Sequence, residues 1–167
     1  MLVGQDAADK LTASIAPYAD VAATRWSAGS IAYCTNEGII AGDGNGRFNP
    51  TDPVTGTQFA KMLLVALGYD PKIEKLVGNE WAIKTAKLAL SDDVDLDNGM
   101  EKLSLSDNLT REQAAQMAFN AMKADMVDYE NRGTEVKLPD GSSVIVNASK
   151  AETMAQGNYD NNMKANG

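Results

Sequence analysis

The residues of this sequence best suited to contact a ligand are its two tryptophans and a few polar side chains. The planar guanidinium of Arg111 can make two parallel hydrogen bonds to one carboxylate. The N–H groups of a helix start beside it would add partial positive charge for the same anion. Trp26 and Trp81 could each place an apolar ring under the face of a sugar. Thr110, which directly precedes Arg111, and Arg47, in a turn-forming stretch, complete the candidate set.

Each of these side chains also has an interpretation that needs no ligand. Burial of the aromatic ring is the commoner use of tryptophan, so Trp26 and Trp81 could simply anchor their helices in a core. Arg111 could be a solvated residue at a helix start, and Arg47 a solvent-facing turn residue. The residue types leave both interpretations open.

The elements that must position these residues occur twice, 55 residues apart. Trp81 follows Trp26 at this spacing, and Thr110 follows Thr55 at the same spacing, with no gap between them. A repeat of this length predicts supersecondary units that bury their apolar faces against one another.

The first copy predicts a helix led by its tryptophan, a loop and a second, capped helix. The first helix covers 26–36 and is closed by Gly38, and three glycines mark the loop at 42–50 as a turn. Thr55 and Gln58 have the spacing of a capping box, in which hydroxyl and amide satisfy each other's exposed backbone N–H groups. The apolar residues that follow have the spacing of one helical face: Phe59, Met62, Leu63, Ala66 and Leu67.

The second copy predicts the same order of elements. A helix over 81–90 is followed by an acidic loop over 91–108 and by a second capping box of Thr110 and Gln113. Its capped helix is predicted to extend to about Glu130. The apolar stripe of that helix is Ala114, Met117, Ala118, Ala121 and Met122.

Three segments lie outside the two copies. A helix is predicted from Gln5 to Ala16, ending before Pro17. Alternating residues over 135–147, around a turn-forming Pro-Asp-Gly-Ser stretch, predict a β-hairpin. The stretch 157–167, rich in Asn and Gly, is predicted to be disordered.

Composition excludes several classes of partner. The 167 residues, enough for one domain or a few small modules, carry 15 basic and 23 acidic side chains, a net charge of −8, and no Lys/Arg run. Nucleic acid is therefore not an expected partner. The longest apolar run, 62–67, is far shorter than the roughly 20 residues that span a bilayer. The lone Cys34 cannot form an internal disulfide and is predicted to be a small buried hydrophobe.

Metal binding and catalysis find little support. Two loops, at 43–47 and 93–97, place oxygen-bearing side chains at alternating positions as calcium loops do, but neither completes the ligand pattern. The sequence has no histidine, no paired nucleophile and base, and no phosphate-binding glycine loop between a strand and a helix. We expect no catalytic residue, no metal site and no cofactor.

From Asp20 through Leu67 the sequence resembles an S-layer homology repeat. The resemblance is carried by the Trp-led helix, by Gly-Ile-Ile-Ala-Gly-Asp-Gly-Asn-Gly-Arg-Phe-Asn-Pro at 38–50, and by Val-Thr-Gly-Thr-Gln-Phe at 54–59. Residues 79–125 are similar in their Trp and in Leu-Thr-Arg-Glu-Gln at 109–113, while their acidic middle loop lacks the glycine pattern.

The resemblance implies a mainly α fold of helix-loop-helix repeats packed as a pseudo-threefold bundle, followed by the C-terminal β-hairpin. The domains expected on this basis are the closing helix of a truncated preceding repeat at 1–19, one repeat at 20–70, a divergent repeat at 71–130, the hairpin at 131–150 and a flexible tail at 151–167.

The function implied by the resemblance is noncovalent anchoring of a secreted surface protein of a Gram-positive bacterium to acidic, including pyruvylated, polysaccharide of the cell wall. The glycan-binding candidates are Trp26, Arg47, Trp81, Thr110 and Arg111. The rival interpretation is a structural scaffold that self-assembles through exposed repeat faces, as a homo-oligomer, without binding glycan.

One departure from the family pattern bears on the site. The first copy has Gly56 where the family has an arginine. The lost guanidinium predicts an impaired first pocket, with affinity depending on Arg111 or on the missing first repeat. Arg47 is the candidate substitute.

Overall fold

The computed structural model describes residues 18–127, 129, 134–137, 143–146, 153 and 154. Its described part is mainly helical, with four helices and two short strands. The helices are α1 (Ala28–Asn36), α2 (Gly56–Ala66), α3 (Trp81–Ala89) and α4 (Arg111–Lys123). The strands are β1 (Thr134–Lys137) and β2 (Ser143–Val146). The first and second repeat below are the predicted repeats at 20–70 and 71–130. Because a pseudo-threefold arrangement needs three units, it stays a prediction.

Both predicted capping boxes are confirmed. The Thr55 hydroxyl accepts the Gln58 N–H at 3.3 Å, and the Gln58 side-chain oxygen accepts the Thr55 N–H at 2.9 Å. The corresponding distances between Thr110 and Gln113 are 3.2 and 3.0 Å. Each box satisfies backbone groups that a helix start would otherwise leave unpaired, so α2 and α4 begin where the sequence predicts.

The end of α4 differs from the prediction. The helix stops at Lys123, and Ala124 is extended instead of continuing toward Glu130. The reason is pairing with other segments: the Met154 N–H donates to the Ala124 carbonyl at 3.3 Å, and the Val127 N–H donates to the Leu67 carbonyl at 2.8 Å. These tertiary bonds replace the helical bonds that a longer α4 would make.

The main core surrounds α2, which packs against both α3 and α4. Ala60, Leu64 and Leu67 are fully buried there, and Phe59, Leu63 and Ala66 pack at the edge of the same cluster. The deepest face of α2 is therefore displaced by one residue from the predicted stripe. Helices on two sides bury more of α2 than a single amphipathic face would.

The predicted stripe of α4 is wrong at its end. Met117 and Ala121 are buried, but Met122 is 44% exposed, and the polar Asn120 is buried in its place. The Asn120 side-chain amide donates to the carbonyls of Leu96 and Asn98, at 3.0 and 2.9 Å. A buried amide with these partners can face the core without leaving a donor unpaired.

A second, smaller cluster around Val21, Ala28 and Ile31 packs α1 against the loop that follows it. Beside it, the Asp20 carboxylate accepts the N–H groups of Phe48 and Asn49 at 2.9 and 2.7 Å. These backbone hydrogen bonds, that from Phe48 first, lower the pKa of Asp20. α1 starts at Ala28, two residues later than predicted. Its Cys34 is half-buried instead of buried, and burial raises the pKa of the thiol.

The two strands pair antiparallel, with Thr134 opposite Val146 and Lys137 opposite Ser143. The predicted connecting turn lies outside the described residues, as do the helix predicted at 5–16 and the segment 157–167, so the hairpin stays a prediction. Of the predicted flexible tail, 151–167, the structure describes Thr153 and Met154, so the tail as a whole stays a prediction. Thr153 bridges to Asp125, and Met154 is buried in the main core.

Candidate binding groove

A groove of about 890 Å³ lies where the two repeats meet. The first repeat contributes the loop at 38–44, the turn at 48–54 and one side of α2. The second repeat contributes Pro71, Val77, Gly78 and Trp81. This volume lies in the range that binds small ligands in proteins, and neither repeat forms the groove alone.

The loop wall is held in place by side chains of its own repeat. The Gly42 N–H donates to the Tyr18 hydroxyl at 2.9 Å. Asp43 accepts the N–H groups of Asn45 and Arg47 at 2.8 and 3.1 Å, and these bonds, that from Asn45 first, lower the pKa of its carboxyl. The Asp43 carboxylate therefore closes a turn. Among the described residues no group of three or more His, Cys, Asp or Glu side chains is arranged to hold a metal ion.

The opposite wall carries an aromatic ring and a cation. Trp81 is the half-buried first residue of α3, and the Lys61 ammonium lies 5.5 Å from the centroid of its ring. Burial lowers the pKa of Lys61. No carboxylate of the described chain lies within 4.0 Å of this ammonium, whereas Lys84 pairs with Glu80 at 3.9 Å on the outer side of α3.

The structure explains why position 56 is a glycine. Gly56 is buried, and a Cβ there would stand 2.7 Å from the Leu105 Cα. The N–H groups of Gly56 and Thr57 donate to the carbonyls of Asp107 and Leu105, at 3.0 and 2.7 Å. The second repeat thus covers the start of α2 and leaves no room for an arginine. The groove nevertheless has a cation, because Lys61, five residues further along the chain, lines it.

Of the five predicted site residues, Trp81 alone lines this groove. Trp26 is 89% exposed, so the interpretation that it anchors α1 in the core is wrong. Arg47 is exposed in its turn, and Arg111 is exposed at the start of α4. Thr110 is engaged in its capping box beside Arg111. Arg111 and Thr110 are adjacent to each other at the start of α4. Trp26 precedes α1 and Arg47 lies in the loop after it, and neither lines the groove.

Lys61 is the residue that the sequence reasoning missed. Its signal is a single lysine between Ala60 and Met62, inside the apolar run that predicts a buried helix. A cation at such a position must reach solvent or a groove, because an isolated buried charge is costly.

Comparison with known proteins gives a family match and several relatives. Residues 17–60 match the model of the S-layer homology domain. The chain is 30% identical over 143 residues to an endoglucanase of Bacillus sp. (strain KSM-635), covering 84% of this chain and 14% of that protein. It is 27% identical over 120 residues to the middle cell wall protein of Brevibacillus brevis, covering 72% and 11%. It is 25% identical over 135 residues to a surface layer protein of Brevibacillus choshinensis, covering 81% and 11%.

The chain thus spans 14% or less of the length of these relatives. No solved structure matches it. Among the described residues, no helix has both the length and the apolar character that crossing a membrane requires.

Proposed function

We propose that this chain fastens a bacterial surface protein noncovalently to acidic polysaccharide of the cell wall, because its residues 17–60 match the model of the S-layer homology domain. The location is extracellular, at the cell wall or surface layer, in keeping with the wall and surface proteins that it resembles. The acidic glycan, including a pyruvylated one, is the finer part of the proposal.

The observation that carries the proposal is the groove at the junction of the repeats. It combines the ring of Trp81 with the half-buried ammonium of Lys61. An aromatic face stacks on the apolar side of a sugar ring, and a cation favours an acidic substituent on that ring.

The remaining predicted residues form a second, weaker part of the proposal. Arg111 and Thr110 stand at the exposed start of α4, where guanidinium and helix N–H groups favour a carboxylate. Trp26 offers an exposed ring, and Arg47 an exposed guanidinium. We propose these as contacts with further sugars of a long chain, outside the groove.

Binding to purified wall polysaccharide tests the proposal. The chain should sediment with the insoluble wall of a Gram-positive bacterium, and Trp81→Ala should lower the retained fraction about tenfold, by analogy with a nucleic-acid base stacked on an aromatic ring, which contributes roughly 1–3 kcal/mol. Phe119→Ala is the matched control, because Phe119 is an exposed aromatic on α4, outside the groove. Equal loss in both variants, with helical circular dichroism unchanged, would contradict a role for the groove.

A scaffold without glycan binding is the second candidate function. It is favoured by the exposed apolar side chains of α4, Phe119 and Met122. Such a surface suits contact with another protein copy. Concentration-dependent oligomers in sedimentation velocity, together with no retention on wall polysaccharide, would support this alternative over the first.

We propose no catalytic activity for these residues. The matched region covers 14% of the endoglucanase relative, so the activity named for that protein is not carried over by the match. A wall-binding module needs a complementary surface and no reacting group.

A further inference from the structure

We infer that Lys61 is the residue that makes the groove selective for acidic sugars, by pairing its ammonium with a carboxylate on a sugar whose ring lies on Trp81. This inference rests on the proposed function and adds to it the residue that discriminates charged from neutral glycan.

Lys61 and Trp81 lie next to each other in the groove. The Lys61 ammonium lies 5.5 Å from the centroid of the Trp81 ring, and both side chains line the groove. A sugar on that ring would bring its substituents within reach of the ammonium, since a charge-assisted hydrogen bond needs roughly 2.7–2.9 Å between N and O. A flexible four-carbon stem lets the lysine adjust to that distance.

No other cation is present among the described residues of the groove. Lys61 is the sole basic side chain among the described residues that line it. The position that carries arginine in the family pattern is Gly56, where a Cβ would meet the Leu105 backbone. The first N–H groups of α2 donate to the carbonyls of Leu105 and Asp107, so the helix start cannot bind the anion instead.

The wall formed by the loop at 38–44 and the turn at 48–54 carries negative charge. Asp43 and Asp52 also line the groove, and Asp43 is occupied by the N–H groups of Asn45 and Arg47. Carboxylates disfavour a ligand anion beside them, so the α2 side of the groove, where Lys61 lies, is the favoured place for the carboxylate of an acidic sugar.

The Lys61 ammonium has lost part of its contact with water. Lys61 is half-buried, and the loss of water around its ammonium lowers its pKa. Among the described residues no carboxylate lies within 4.0 Å to compensate. The ammonium contacts the face of the Trp81 ring, and a ligand carboxylate would add the ion-pair partner that this ring does not supply. Such a carboxylate gains more from a partly dehydrated ammonium than from one in open water.

A double comparison of protein and ligand tests the inference. Lys61→Met keeps the length of the side chain and removes its charge. Isothermal calorimetry would measure its affinity for soluble acidic wall polysaccharide and for the same polysaccharide after chemical reduction of its carboxyl groups. We expect roughly ten- to hundredfold weaker binding of the acidic form, the range for a hydrogen bond to a charged group, and little change for the reduced form.

Lys123→Met is the matched control, because Lys123 lies 4.1 Å from the ring of Phe119 and outside the groove. It should bind both polysaccharides as the unmodified chain does. Lys61→Gln serves as a second variant if Lys61→Met fails to fold, which circular dichroism would reveal.

The outcomes separate this inference from the proposed function. If the unmodified chain binds acidic polysaccharide and Lys61→Met binds it equally well, the inference is wrong and the anchoring function stands. If the loss in Lys61→Met is the same for acidic and reduced polysaccharide, charge selection by Lys61 is also refuted. If the unmodified chain binds neither form, the proposed function itself fails.

Discussion

The two capped helices, α2 and α4, start with the same hydrogen-bonded motif yet have different surroundings. Both begin at a threonine whose hydroxyl accepts the N–H of a glutamine three residues later. Leu64 of α2 is fully buried, whereas its counterpart 55 residues later, Phe119 of α4, is 53% exposed. The same holds for Leu67, which is buried, and Met122, which is 44% exposed. The difference arises because α2 lies against both α3 and α4, while α4 has a covered and an open side.

The comparison teaches that a local motif determines where a helix begins and that its neighbours determine which face is buried. The capping box acts between residues three apart, so it works in both copies. Burial depends on the element that packs alongside, and the described chain supplies two helices next to α2. The helix starts differ in the same way: Gly56 is covered by the second repeat, and Arg111 faces solvent.

The largest expected effect is a change in the free energy of unfolding when an apolar side chain of α2 or α4 is truncated. Leu64→Ala should lower the free energy of unfolding by about 2–5 kcal/mol, since it opens a cavity in the core. Phe119→Ala should lower it by less than about 1 kcal/mol, because its ring is largely in water. Urea denaturation followed by circular dichroism measures both values. Similar losses in the two variants would show that Phe119 is covered in solution.

The helix starts give the next largest effect. Gly56→Ala places a methyl group 2.7 Å from the Leu105 Cα, so backbone must move, and we expect a loss of about 1–3 kcal/mol. Arg111→Ala, at the equivalent position of α4, should change stability by less than about 0.5 kcal/mol. Thermal unfolding of the two variants side by side measures the contrast. A stable Gly56→Ala would mean that the 105–108 segment is not held against α2.

The capping boxes should give equal and smaller effects. Thr55→Ala and Thr110→Ala each remove a hydroxyl that accepts a backbone N–H, at an expected loss of about 1 kcal/mol. Equality is the informative result, because it would confirm that the motif acts locally in spite of different surroundings. Chemical denaturation should therefore give two curves with the same midpoint. A much larger loss for Thr55→Ala would indicate that its cap also holds the contact between the repeats.

The smallest expected effect is on the stability of the folded chain at low pH. It differs between the loop held by Asp20 and the loop held by Asn120. Asp20 accepts two N–H groups of the first loop, and its pKa is lowered chiefly by the bond from Phe48. Its stabilising contribution is present above the pKa of the unfolded chain and is lost as pH falls through the lower, folded value. The second loop is held by the uncharged amide of Asn120, which does not titrate.

Stability measured between about pH 5 and pH 2 should therefore fall less steeply in Asp20→Asn than in the unmodified chain. Asn120→Ala, in contrast, should leave the slope unchanged while lowering stability at every pH. An unchanged slope in Asp20→Asn would show that the carboxylate hydrogen bonds do not persist in solution.

Sequence reasoning could predict the features that depend on neighbours along the chain. The repeat spacing, both capping boxes and the Trp81 helix are of this kind, since the groups involved lie within a few residues of one another. The end of α4 was not predictable, because it depends on Val127 pairing with Leu67 and on Met154 pairing with Ala124. Those partners are far apart in sequence, and their pairing has no local signal.

The candidate site was predictable to the same limited extent. Trp81 was identified as an aromatic contact, and it does line the groove. The family motif points to position 56 for a cation and carries no signal for Lys61. The reason for Gly56 is the backbone of Leu105, which the sequence places 49 residues away. A cation displaced along a helix can serve the same groove, and three-dimensional contacts are needed to find it.

The position of the groove at a junction sets how many such sites a tandem array can present. Its walls come from two consecutive repeats, so an open row offers one groove fewer than it has repeats, and a closed ring offers as many grooves as repeats. Adding or deleting one repeat therefore changes the valency for a long polymer. On the proposed function, linked weak sites would raise overall avidity for a long wall polymer by about 10²–10⁴, so the number of repeats is expected to set retention on that polymer.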